Sequence, residues 1–589
     1  MTRKNLWQTK IALIWACSFA WLVSLSGCFY GTIAWSPDGQ WLAFLTQSGE
    51  NAMLFSPGWW ARPDSATQGW VARRGPPDST TYTLWLSQPT GSHCWRLAQS
   101  TSALSSPAWS PDGLKIAYLR WGTSADGKNH CEVLVQRGFD EPKTLASCKL
   151  SSTSATPAGL ESEAKRLGLA TSAMAPAWSP RGTFLAVPWL DPPGTAVIRA
   201  SDGQLMAHYA NAFLASWSPD ESHLAMVLPG DREGYHVTTA NLGPPAAAIA
   251  TKHAAQAAIW ESTGQAFYAI AWQDQPNPGA MTSYNAELVR YDIRTQRVES
   301  VRRVISRTPP AGDDPSLLYF ARIPGSPSLL AITSRGGQTT DILEMSFERQ
   351  AAARRHTWLD PDLVLGAPSI GPDKDTVALR FGPHQNLGVP AIVSLRNGEL
   401  RAIVPDHATQ VLATQTIIER LLHVFDVSTP RDIRNPTFGA VRMPSPAMAT
   451  AYALRDGRVA DRIEKLTRFG LNLLAMQPEG NPTPGQFRAI VESKMFLTYI
   501  SADYTAALRA ADTLEPQLDS PRDRLALTIV RAQCRLGQRK WSEARELLTL
   551  LSQKAGKSPK DDGPDLAGDQ KLFSKTIQEL LEELAQSEK

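Results

Sequence analysis

Trp109-Ser110-Pro111-Asp112-Gly113 is followed at once by Leu114-Lys115-Ile116-Ala117-Tyr118, and the pair recurs along the chain. Trp35-Ser36-Pro37-Asp38-Gly39 leads to Trp41-Leu42-Ala43-Phe44, and Trp178-Ser179-Pro180-Arg181-Gly182 to Phe184-Leu185-Ala186-Val187. Trp217-Ser218-Pro219-Asp220-Glu221 leads to Leu224-Ala225-Met226-Val227. Each copy reads as a short strand, a tight turn and a second, apolar strand. Proline presets φ at the turn, Asp accepts from nearby backbone N–H groups, and Gly adopts φ > 0. Weaker relatives follow at Trp260-Glu261-Ser262-Thr263-Gly264, Arg322-Ile323-Pro324-Gly325-Ser326 and Ile370-Gly371-Pro372-Asp373, where Glu261, Arg322 and Ile370 break the pattern. A further strand pair can be drawn after most copies, as at 82–87 with 95–98. Four-stranded units that recur on the same inner turn form a β-propeller. Seven turns favour seven blades, with six as the alternative.

These Trp-Ser-Pro-Asp-Gly and Leu/Phe-Ala-aromatic segments resemble the PD40 (WD40-like) repeats of TolB-like propellers, found also in tricorn-like and prolyl-oligopeptidase-type β domains. The resemblance covers residues 31–404 and is strongest in the first four units. Asp38, Asp112, Asp220 and Asp373 read as turn caps, because a calcium site needs about six converging oxygens. Trp35, Trp109, Trp178, Trp217 and Trp260 read as blade-packing residues rather than a ligand cage.

Where the repeat is interrupted, function becomes easier to look for. The Gly/Pro-rich excursion 51–79 holds Trp59, Trp60 and Trp70 with Arg62, Arg73 and Arg74. Long loops in compact domains are often functional, and aromatics beside Arg are typical of contact surfaces. This loop is the candidate partner-binding segment; the other reading is a plug folded back over its blade. Shorter insertions lie at 156–170 and 274–282. Arg290, Arg294, Arg297, Arg302, Arg303 and Arg307 form a basic hairpin, read first as a solvated outer edge that deters strand pairing and second as an anionic-lipid contact.

The N-terminus carries an address. Arg3, Lys4 and Lys10 precede an apolar run, 11–25, shorter than the roughly 20 residues of a spanning helix. The run ends in Leu25-Ser26-Gly27-Cys28, which resembles the lipobox of bacterial lipoproteins. That resemblance implies a signal peptide of residues 1–27, cleavage before Cys28 and a lipid on it, so that the chain is anchored to a membrane rather than spanning it. Phe29 in place of Asp leans, by the family's sorting rule in enteric bacteria, to the outer membrane. With Cys17 and Cys28 set aside, four of the six cysteines remain. Cys131 opens one expected strand and Cys148 closes the next, so antiparallel pairing makes them a candidate disulfide. Cys94 and Cys534 read as isolated buried thiols.

Near residue 405 the hydrophobic period changes from 2 to 3.6. A helix is expected over 411–427, then a Pro-rich connector, so that 405–448 joins the propeller (28–404) to a helical segment at 449–553. There Asp503-Tyr504-Thr505-Ala506-Ala507 and Gly537-Gln538-Arg539-Lys540-Trp541-Ser542-Glu543-Ala544 resemble tetratricopeptide repeats, in which an aromatic packs on the alanine three positions later. Stacked helix pairs of this kind make a small solenoid. Residues 554–589 read as a disordered linker and a terminal amphipathic helix. The fold class is therefore multidomain β + α: a β-propeller followed by an α-helical, tetratricopeptide-like solenoid.

Composition bounds the chemistry. With 59 basic against 56 acidic residues among 589, the net charge of +3 is too small to suggest a nucleic-acid partner. A propeller hydrolase would need Gly-x-Ser-x-Gly followed by Asp and His, and the sequence has no such motif. Nor does it carry His-Glu-x-x-His, paired Cys-x-x-Cys or a phosphate-binding Gly-rich loop, so no metal, cofactor or catalytic residue is assigned. The expected function is a non-enzymatic cell-envelope lipoprotein, periplasm-facing or at the cell surface, that scaffolds envelope proteins. The alternative is a propeller enzyme or carbohydrate-binding module using the central channel.

Overall fold

A computed structural model describes residues 33–48, 81–123 except 92, 129–149, 175–228 except 191, with gaps 234–428, then 457–518, 521–555 and, with gaps, 577–586. Cys28, the excursion 51–79, both shorter insertions, the connector 430–446 and, beyond Ala555, the expected linker at 554–570 lie outside these residues; Lys554 and Ala555 belong instead to a helix. The described residues form two compact units, one ending at Ile403 and the other beginning at Val404.

The first unit is a seven-bladed β-propeller. Its antiparallel blades occupy residues 34–100, 103–149, 177–210, 213–250, 259–306, 316–356 and 364–402, blades 1 to 7 in chain order. In blades 1, 3, 4, 5 and 6 four strands pair consecutively; in blades 2 and 7 the innermost strand is broken into two short pieces. The weaker turns at Glu261, Arg322 and Ile370 thus each open a blade, and the six-bladed alternative is set aside.

Period-two alternation assigns the side chains of each strand to two joints. In Leu42–Ser48, Leu42 and Phe44 pack with Ala378 and Ile392 of blade 7, while Ala43 and Leu45 pack with Ile116 and Tyr118 of blade 2. In Lys115–Thr123, Ala117 and Leu119 turn the other way, to Leu185, Val187 and Ala196 of blade 3. A buried apolar side chain contributes about 1.5–3 kcal/mol, so these joints hold the ring by many small increments.

Every described blade is made of consecutive strands, so the two ends of the ring meet without sharing a strand. Hydrogen bonds and an apolar seam among the described residues close it. The Trp35 indole donates to Ser369 O at 2.8 Å. The buried Arg380 of blade 7 donates to Leu45 O of blade 1 at 2.7 Å and to its own blade's Gly388 O at 3.1 Å. Ile33, Leu42, Phe44, Trp85, Ala378, Ile392 and Ile403 form the apolar seam.

The second unit is helical: α1 (His407–Ser428), α2 (Gly457–Ala475), α3 (Pro484–Ile500), α4 (Tyr504–Leu514), α5 (Pro521–Gly537) and α6 (Trp541–Ala555). Thr483 begins α3 with a capping box, its hydroxyl accepting from Gln486 N while Gln486 accepts from Thr483 N. Short turns join α3 to α4 and α5 to α6, with Ala502 and Arg539 at φ 61° and 59°. Gly537 is required by contact, since a Cβ there would lie 2.3 Å from the Tyr504 ring. Ala507 and Ala544 are fully buried on the second helix of each pair. In the terminal helical segment Ile577, Leu580 and Leu584 are buried. No described helix is long and apolar enough to cross a membrane.

Replacing Trp35 by Phe keeps most of the apolar contact but removes the indole donor to Ser369 O. The expected cost is about 1 kcal/mol, seen as a lower urea midpoint of the β-sheet circular-dichroism transition in the full chain. An unchanged midpoint would show that the indole bond does not help close the ring.

Candidate functional site

Seven turns join the innermost strand of each blade to the second, so all lie at the same end of the ring. Their backbone is the same even where their side chains differ. Ser36, Ser110, Ser179, Ser218, Glu261, Ile323 and Gly371 each donate an N–H to the carbonyl five residues on, at 2.8–3.2 Å. Neighbouring turns touch. A Cβ added to Gly39, Gly113 or Gly182 would meet Pro372, Pro37 or Pro111 of the preceding blade at 3.4, 3.6 and 3.7 Å. This crown of turns surrounds one mouth of the ring and is the natural place to look for chemistry.

Its aspartates are engaged within their own turns. Ser36 and Ser110 hydroxyls donate to Asp38 and Asp112 at 2.5 Å, and Ser218 donates to Asp220 at 2.7 Å. The same oxygens accept from Gln40, Leu114 and Ser222 N–H at 3.0–3.1 Å. Each serine oxygen in turn accepts the N–H five residues on, at 2.8–2.9 Å. Asp373 does the equivalent in blade 7, accepting from the Thr376 hydroxyl at 2.7 Å. The serine bond first, then the backbone donor, holds Asp38 and Asp112 below the usual carboxylate range. At Asp220 burial pushes upward, but the Ser218 and Ser222 bonds outweigh it and bring the carboxyl down to about 2.

Two turns exchange residues in a way the repeat pattern hides. Arg181 stands where the other strong copies have Asp, and one blade later Glu221 stands where they have Gly. Glu221 is 7% exposed, at φ 62°, and neither carboxylate oxygen takes a hydrogen bond; Arg181 Nε lies 3.7 Å away. Left-handed backbone costs a side-chain-bearing residue about 1–2 kcal/mol, so Glu221 carries both strain and desolvation. The opposite substitutions in adjacent copies were the available signal, visible only when the copies are aligned.

Blade 5 departs further. Glu261 replaces the serine and takes both guanidinium arms of Arg290, at 2.6 and 3.1 Å. The Arg290 bond holds Glu261 below its ordinary range against burial, and burial together with the Glu261 charge pushes Tyr268 up to about 12. Arg290 therefore does not belong to the basic outer edge expected from its spacing; Arg297, on the last strand, does face solvent. In blade 6, Arg322 takes the place of the tryptophan and donates to Trp260 O, with Nε buried and without a partner. The described inner strands carry mostly small residues beside the ring donors: Ala34, Ala108, Ala177, Ser216, Ala321 and Ser369, with Ile259 the exception. No group of three or more metal-ligating side chains is found among the described residues.

The remaining sequence candidates fall as follows. Trp59, Trp60, Arg62, Trp70, Arg73, Arg74 and Cys28 lie outside the described residues. Cys131 and Cys148 are brought directly opposite each other as thiols. Cys534 is buried as expected, whereas Cys94 is only half-buried and donates to the Ser87 hydroxyl at 3.6 Å.

No protein-family model and no curated protein matches the chain. Solved structures similar to it include TolB from Acinetobacter baumannii, 13% identical over 62% of this chain and 65% of that one, TM-score 0.32. An acylaminoacyl peptidase of Pyrococcus horikoshii is 10% identical over 64% and 52%, TM-score 0.38. An oligogalacturonate lyase of Vibrio parahaemolyticus is 12% identical over 62% and 88%, TM-score 0.37. The chain spans less than two thirds of the first two. Such likenesses assign no activity to this chain, and the fold rests on its own strand pairing.

Because the folded chain favours ionised Asp220, that stabilisation is complete above the ordinary value of 3.8 and is lost as the pH falls toward about 2. Thermal midpoints should fall across that window, and the fall should be smaller in Asp220→Asn. Parallel curves for the two proteins would contradict the assignment.

Proposed function

We propose that the protein is a lipid-anchored envelope scaffold, tethered at Cys28, whose propeller and helical unit hold different protein partners. The observation that carries this reading is the commitment of the repeat's conspicuous polar groups to structure. The aspartates cap turns, the tryptophan indoles bond across joints, and Glu261 is held by Arg290. Small residues beside the ring donors fit a structural ring better than a catalytic channel. The paired helices are read as tetratricopeptide-like, on the packing of Tyr504 against Gly537 and the buried Ala507 and Ala544. Stacked helix pairs and propeller ends are both common protein-binding surfaces.

Cross-linking and pull-down from membranes, comparing the full chain with one truncated after Val404, should lose one set of partners and keep another. Recovery of identical partners by both would remove the recruiting role of the helical unit. Cys28→Ser should shift the protein from the membrane to the soluble fraction; retention in the membrane would contradict a lipid as the sole anchor.

A further inference from the structure

Cys131 and Cys148 occupy opposed positions on the third and fourth strands of blade 2, and are 1% and 8% exposed. Opposed residues of an antiparallel pair have Cα atoms about 4.5–5.5 Å apart, inside the span of about 4.4–6.8 Å that a disulfide bridges. Bond formation therefore needs no rearrangement of the strands. The other described cysteines offer no competing pair. Cys94 sits beside Ser87 in blade 1, and Cys534 lies in α5 of the helical unit.

The same geometry closes the pair to solvent. Both sulfurs belong to the core between blades 2 and 3, with Trp121, Val133, Leu185, Val187 and Ile198. Hydrogen bonding to the Cys148 thiol, and then burial, push the Cys131 thiol well above its ordinary range. Thiol–disulfide exchange needs a thiolate and an open approach to it, and the finished propeller supplies neither.

We propose that Cys131 and Cys148 form a disulfide made during folding, before blade 3 covers blade 2, and that the native propeller then preserves whichever redox state the pair acquired. The oxidant is a small or protein disulfide. With oxidised glutathione, one cysteine thiolate attacks a glutathione sulfur, forming a mixed disulfide and releasing one glutathione thiolate. The second cysteine, as its thiolate, attacks the protein sulfur of that mixed disulfide and releases the other glutathione. Two protein S–H groups become one S–S bond; the two electrons and two protons end on two glutathione thiols. The inference does not depend on the scaffold reading.

The test uses the full chain, purified reduced and exposed to oxidised glutathione either as the native protein or while refolding from denaturant. Peptide mass mapping without reduction then follows the cysteines. The refolding arm should give a peptide linking Cys131 to Cys148 at least about tenfold faster than the native arm. Expression in an oxidising and in a reducing compartment supplies the comparison without refolding: linked in the first, and in the second a dithiol that persists in oxidised glutathione after purification. Free thiols in the refolded or exported chain, or a link from Cys131 to Cys94 or Cys534, would overturn the site. Equal rates in the native and refolding arms would overturn the protection by burial.

Discussion

The ring depends on one recurring bond, from a tryptophan indole to a carbonyl on the innermost strand of the preceding blade. Trp109 donates to Ala34 O, Trp178 to Ala108 O and Trp217 to Ala177 O at 3.1 Å, and Trp260 to Ser216 O at 2.9 Å. Trp35 closes the circle on Ser369 O. The register turns each of these carbonyls toward the second strand of its own blade, so the indole N–H is a second donor to an oxygen with two lone pairs. It ties one blade to the next while its ring packs at the joint, serving hydrogen bonding and packing at once. That double demand accounts for the tryptophan in the repeat better than any ligand does.

The two exceptions show what the position requires. Arg322 also reaches a carbonyl of the preceding blade, Trp260 O rather than Ile259 O, so a planar N–H donor survives the loss of the indole. Ile370 has no side-chain donor and is half-buried, so blade 7 lacks this bond to blade 6. Blade 7 is instead tied on its other side, where Arg380 and Trp35 join it to blade 1.

Much of this was legible in the sequence because a repeated motif averages out local noise. The strong copies identify the blades, and the backbone bond shared by all seven turns explains why Glu261, Ile323 and Gly371 could replace serine without loss of the turn. The disruptions were harder to read. Arg290 looked like one member of a basic run, yet its strand places it across from Glu261, a pairing that needs the third dimension. Glu221 sits where Gly is expected, and only the neighbouring Arg181 gives a reason for a carboxylate there. The aromatic-rich loop around Trp59 and Trp70 remains a sequence-level candidate. In the helical unit, Tyr504 and Gly537 are linked by contact although they belong to different helix pairs, which local spacing alone does not reveal.

The central claim is that indole N–H groups bridge the blades, and hydrogen exchange at tryptophan indoles in the isotope-labelled full chain tests it most directly. The account predicts that the indoles of Trp35, Trp109, Trp178, Trp217 and Trp260 exchange far more slowly than unprotected indoles and become fast together when the propeller unfolds. Exchange of these five at the rate of solvent-exposed tryptophan in the native protein would contradict it.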